Sequence, residues 1–113
     1  MYKVEAIVRH HRLEQVREAL KEVDVVSWTV TDCRGTGHAP EMAHTFRGSQ
    51  YGHSLTQRLM LTAVILDEQL EDTIAAIQKG ASTGEIGDGK IFVSEIKEVV
   101  RIRTGERGKG ALS

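Results

Sequence analysis

The chain has 113 residues, enough for one domain with a modest core and too few for two. A formal net charge of -1 gives no basis for bulk attraction to nucleic acid, and no apolar run approaches a membrane span. The single cysteine, Cys33, can form no internal disulfide, and the strand-like start does not resemble a signal peptide, so a cytoplasmic protein is expected.

Tyr2, Val4, Ala6 and Val8 alternate with Lys3, Glu5, Ile7 and Arg9, and this period of two predicts a strand. From His11 the period changes. Leu13, Val16, Leu20 and Val23 share a helical stripe, while Arg12, Arg17 and Lys21 lie beside Glu14, Glu18 and Glu22 on a solvated face. Asp24 ends that helix. Val25 to Cys33 returns to strand character, with Val26, Trp28 and Val30 against Ser27, Thr29 and Thr31. Cys33 reads as a small core or interface residue. Gly35 to about Thr56 has no sustained period, and loops of that length in a compact domain are functional or disordered. A second strand run follows, with Leu59, Leu61, Ala63 and Ile65 on one face and Met60, Thr62 and Val64 on the other. Asp67 is expected to cap a second helix, with Glu68 and Glu71 in its first turn. Leu70, Ile74 and Ile77 give that helix its buried stripe, and Gly80 its C-terminal cap. Ile91 to Ile96 reads as a fourth strand and Val99 to Arg103 as one more extended run, before a polar tail over 104–113.

The order is β-α-β-β-α-β, an α+β ferredoxin-like sandwich with its helices on one face of an antiparallel sheet. The other face carries Ile7, Thr29 and Val64, too apolar to be simply solvated. Together with an aromatic content of only 4%, this predicts a homo-oligomer packed sheet to sheet.

Thr83-Gly84-Glu85-Ile86-Gly87-Asp88-Gly89-Lys90 puts three glycines and a lysine into eight residues. Successive amides in such a turn form a concave anion site, and the lysine adds full charge. Gly84 followed by Gly89-Lys90 mimics P-loop spacing. However, Ile91 stands where a magnesium-holding Ser or Thr belongs, and a strand follows where a helix should. The turn reads either as a phosphate grip or as a glycine-rich connection with an exposed lysine. Arg101 and Arg103, two apart on an extended run, would point the same way, as phosphate ligands or as a solvated face. No nucleophile–base pair or carboxylate dyad emerges, so dedicated catalysis has little support.

The turn through Ile91-Phe92-Val93, followed by Arg101-Ile102-Arg103-Thr104-Gly105-Glu106, resembles the PII signal-transduction proteins. These are trimeric regulators of nitrogen and carbon metabolism that bind adenine nucleotides between subunits. The resemblance runs from Tyr2 to Glu106. It implies one PII-like domain over 1–113 in a homotrimer, with an effector-docking T-loop over about 36–56 after the second strand. ATP or ADP, with magnesium able to accompany ATP, would meet the turn 83–90 at Gly87, Asp88, Gly89 and Lys90. Arg101 and Arg103 would reach the phosphates from the neighbouring subunit. Gly35, Gly37 and Val64 would enclose adenine and ribose with Thr29 beside them, Ile7 would pack on the base, and His38 belongs to the same set. The long loop would contact a membrane transporter or a metabolic enzyme, with no role for nucleic acid.

The loop departs from the family at several positions. Phe46-Arg47-Gly48 and Tyr51 remain, and that tyrosine is where many bacterial members are uridylylated. Here Ser49-Gln50 and Gly52-His53-Ser54 replace the usual acidic and apolar flanks, which favours an exposed, unmodified tyrosine. Ala39 stands where members that sense 2-oxoglutarate carry a glutamine that helps ligate magnesium, and alanine offers no oxygen to a hard cation. Arg58 keeps the cationic character of the family's lysine, so an anion or effector could still be drawn to the loop base. His38, His44 and His53 fit no chelate spacing, and no metal site is expected. His10-His11, where related chains often have Pro-Phe, falls at the start of the first helix. The alternative is a PII-like sensor of another ligand, such as bicarbonate, another nucleotide or a transition metal, with 2-oxoglutarate sensing lost.

Overall fold

Alternating apolar side chains draw two strands into the middle of a sheet. In β1, Tyr2–Val8, the residues Val4, Ala6 and Val8 are buried. In β5, Thr56–Ile65, the matching set is Leu59, Leu61, Ala63 and Ile65. The two run antiparallel with Val4 opposite Ala63 and Ala6 opposite Leu61, so both buried sets share one face. The computed structural model describes residues 1–37, 45–46, 49–50 and 55–112.

Two further strands complete the sheet: β2, Thr29–Gly35, on the outer edge of β5, and β6, Lys90–Glu95, on the outer edge of β1. The strand order is β2-β5-β1-β6 and every pairing is antiparallel, the ferredoxin-like arrangement that the element order predicts. The two-residue strands β3, Thr45–Phe46, and β4, Ser49–Gln50, pair with each other within the long loop.

Helices α1, Leu13–Glu22, and α2, Leu70–Ala81, cover the buried face. Val16, Ala19 and Leu20 meet Ala76, Ile77 and Ala81 over the sheet. The apolar stripe of α1 is as expected, with Leu13 and Val23 half-buried at its ends. On α2 the fully buried positions include Thr73 and Gly80, while Leu70 and Ile74 are only half-buried. Thr73 avoids a desolvation cost because its hydroxyl donates to the Gln69 carbonyl at 2.7 Å. Gly80 is not a cap. It lies inside α2, where a Cβ would stand 2.6 Å from the Val16 Cα, so it allows a close approach of the two helices.

Element ends also differ from expectation. A 3-10 turn, His10–Arg12, precedes α1, and another, Asp67–Gln69, precedes α2. Asp67 therefore begins the turn rather than capping it. The Gln69 side chain closes the turn by accepting from the Leu66 amide at 3.0 Å. Asp24 does terminate α1, with φ of 62°. Its amide donates to the Lys21 carbonyl at 3.1 Å and that of Val25 to Leu20 at 3.0 Å, which pulls Val25 into the core. Residues 25–28 then cross over without joining the sheet, and Val26 is exposed, so β2 starts four residues later than its alternation suggests.

Candidate functional site

Several segments meet at the end of the sheet where β1 gives way to α1. Ile7 stands opposite Met60 of β5 and Lys90 of β6, on the face the helices leave open. Arg9 follows with extended backbone, φ -72° and ψ 142°, and so falls on the same side as Ile7. Arg58 lies on this face too, opposite half-buried Cys33 of β2. The glycine-rich turn before β6 closes over this end.

That turn is organised by one of its own residues. Asp88 accepts through Oδ2 from the amides of Thr83, at 2.8 Å, and Gly84, at 3.0 Å. Its Oδ1 accepts from the Thr83 hydroxyl and, at 3.2 Å, from the Arg9 Nε. Arg9 also donates to the Ile86 carbonyl at 3.0 Å, and Arg58 reaches the Gly87 carbonyl at 3.4 Å. Gly84, Gly87 and Gly89 take φ of 85°, 103° and 104°, conformations that side chains resist. The Asp88 carboxylate does not engage the amides of Gly87, Asp88 or Gly89, and Lys90 is exposed beside them. The guanidinium groups of Arg9 and Arg58, the Lys90 ammonium and a glycine-rich backbone thus lie together at this end of the sheet, a donor set suited to an anion of phosphate type.

Arg9 and Thr83 are absent from the residues that sequence reasoning singles out. The parity of Arg9 with Ile7 is the signal for the first, and the second opens the glycine-rich motif without a role assigned to its side chain. Hydrogen bonds from the Thr83 hydroxyl, the Thr83 amide, Arg9 and the Gly84 amide hold the Asp88 carboxyl well below the usual carboxylate range. A depressed folded-state value stabilises the fold above the ordinary aspartate pKa of 3.8 and loses that contribution progressively as the pH falls below it. Asp88→Asn should therefore be less stable than the parent at neutral pH. In acid unfolding followed by circular dichroism, its stability should change less between pH 5 and pH 2.

The remaining expected residues divide. Gly35 ends β2 opposite Thr56, at the base of the long loop, and Gly37 follows it. Among the described residues, a Cβ at either position would meet nothing within 4 Å. Val64 lies opposite Lys3, four strand positions from Ile7, or about 13 Å along the sheet. Thr29 lies opposite Thr62. His38 and Tyr51 lie outside the described residues, as do Ala39, His44 and His53.

Arg101 and Arg103 do not share an extended run. The chain turns at 102–104, with the Gly105 amide returning to the Arg101 carbonyl at 2.7 Å, so the parity argument for their common direction fails. The tail is folded back: Val100 bridges to Arg107, and Gly108–Leu112 forms a 3-10 helix. The Met1 amine, which donates to Asp67, and, more weakly, the Lys109 charge hold the Asp67 carboxyl below the usual carboxylate range.

The nitrogen regulatory protein P-II family matches residues 1–106. The chain belongs to the PII family. It is 44% identical to the nitrogen regulatory protein P-II of Rhizobium meliloti over 99% of this chain and 100% of that one. It is also 41% identical to the nitrogen regulatory protein GlnK of Escherichia coli, over 96% and 97% respectively. A crystal structure of Arabidopsis thaliana PII bound to citrate superposes with a TM-score of 0.80 at 40% identity, covering 98% of this chain and 88% of that one. PII membership makes the chain a signal-transduction regulator of nitrogen metabolism. Among the described residues, no helix is long and apolar enough to cross a membrane.

Proposed function

We propose that this PII chain assembles as a homotrimer, binds ATP or ADP in the clefts between subunits, and controls a transporter or metabolic enzyme through its long loop. What supports the reading is the division of the candidate residues on a single chain. Ile7, Arg58 and Gly87 to Lys90 gather at one end of the sheet, while Val64 lies about 13 Å away along the strands. A side-chain contact reaches only about 4.5 Å, so Ile7 and Val64 of one subunit suit opposite ends of a ligand, or sites shared with two neighbours, better than one face of a base. A second copy that brings Val64, Thr29, Arg101 and Arg103 against the first copy's turn would complete the site. The open glycine positions 35 and 37 leave room for such a ligand.

In this arrangement the backbone of 87–89 and the Lys90 ammonium hold phosphate, Arg9 and Asp88 keep the turn shaped, and Ile7 faces the base. Magnesium would supply charge neutralisation to a triphosphate. Replacing Lys90 with alanine removes one charge-assisted hydrogen bond, worth about 1.5–3 kcal/mol. ATP affinity should fall roughly ten- to hundredfold while adenosine affinity stays unchanged. Calorimetry on both ligands reads this directly, and unchanged ATP binding would remove phosphate from the turn. Light scattering on the same samples tests assembly, since a stable monomer binding nucleotide at full affinity contradicts a shared cleft.

A further inference from the structure

Arg101, which the proposed function assigns to phosphate, already has an anion in its grasp. Its Nη1 donates to Glu106 Oε2 at 2.9 Å, and its Nη2 to the Gly110 carbonyl at 2.9 Å. The backbone reinforces this closed form. The Arg101 amide donates to the Glu106 carbonyl at 2.8 Å, and the Glu106 amide to the Thr104 hydroxyl at 3.2 Å. Glu98 ties the next step, accepting the Gly108 amide at 3.1 Å. The guanidinium therefore faces into its own turn.

We propose that Glu106 is an internal competitor for phosphate on Arg101, and that the Arg101–Glu106–Gly110 contact is a latch the nucleotide must open. The inference rests on the nucleotide reading above. A carboxylate and a phosphate present similar pairs of acceptor oxygens to a guanidinium, so they compete for the same donors. Opening the latch exchanges one anion for another and leaves Glu106 near the incoming negative charge. Glu106 thus lowers affinity for phosphorylated ligands and has no effect on an unphosphorylated nucleoside. Opening also withdraws a donor from the Gly110 carbonyl, which loosens the 3-10 helix Gly108–Leu112.

The test is calorimetry of ATP and adenosine with the parent protein, Arg101→Ala and Glu106→Gln, together with hydrogen exchange of the parent with and without ATP. Arg101→Ala should weaken ATP. Glu106→Gln should strengthen ATP about fivefold, the range of a half-exposed ion pair, and leave adenosine unchanged. ATP should speed exchange of the 108–112 amides. If Arg101→Ala leaves ATP affinity intact, Arg101 does not hold phosphate, and both readings of this residue fall. If Arg101→Ala weakens ATP but Glu106→Gln does not strengthen it, or ATP slows exchange over 108–112, the nucleotide reading stands. The latch is then overturned, and Glu106 serves only to position the arginine.

Discussion

Gly89→Ala should be the most damaging single change near the candidate site. Two costs combine. At φ of 104° an L side chain is strained, at about 1–3 kcal/mol. The added Cβ would also sit 2.8 Å from the Ile7 carbonyl carbon and closer still to its oxygen. These are backbone atoms of a central strand paired on both sides, so they cannot swing away as a flexible side chain would. Overpacking against a fixed neighbour adds about 1–3 kcal/mol. A loss of about 3 kcal/mol or more is expected, read as a fall in midpoint in urea unfolding. The β1–β6 pairing should open at the Ile7–Lys90 end, seen as faster amide exchange there. A variant within about 0.5 kcal/mol of the parent would mean that the turn does not press on β1.

Gly80→Val carries a comparable cost for a different reason. Gly80 has helical backbone, and on propensity alone a change away from glycine should help. Steric contact decides against it. A Cβ would stand 2.6 Å from the Val16 Cα and 2.8 Å from the Gln15 carbonyl oxygen, and valine adds two methyl groups beyond it. The helices would have to separate over Val16, Leu20 and Ile77, opening a fully buried part of the core. The bond from Arg12 Nε to the Gly80 carbonyl, 2.9 Å, would stretch with them. About 3 kcal/mol or more should be lost, with alanine costing less than valine in the same denaturation assay. Valine at parental stability would show that α1 and α2 slide apart freely.

These two glycines illustrate what the sequence conveys and what it hides. The central strands were legible because one face of each is buried, so Val4, Ala6, Val8 and Leu59, Leu61, Ala63 stand out by alternation. The edge strand β2 is legible as a strand but not in its bounds, because none of its residues is fully buried and the contrast that would fix its ends is weak. Gly80 resembles a cap because composition cannot tell a helix end from a close crossing. Gly87, Gly89 and Lys90 are readable as a local motif. Arg9 belongs to the turn through contacts spanning 77 and 79 residues, so its parity with Ile7 shows which face it takes but not what it meets. For Arg101 and Arg103 the expected common direction fails, since a two-residue spacing implies it only on a strand and the chain turns between them.

The position of β1 has a consequence for how the protein is made. It is synthesised before either of its neighbours, yet it lies inside the sheet, with β5 on one side and β6, from Lys90 to Glu95, on the other. At about 5–20 residues per second, the chain between Val8 and Ile65 takes roughly 3–11 s to synthesise. Throughout that interval both hydrogen-bonding edges of β1 stand open, along with Val4 and Val8. Unpaired edges of this kind template association between chains. A nascent polysome carries many such strands side by side, so translation speed over the middle of the message should govern how much chain reaches the folded state.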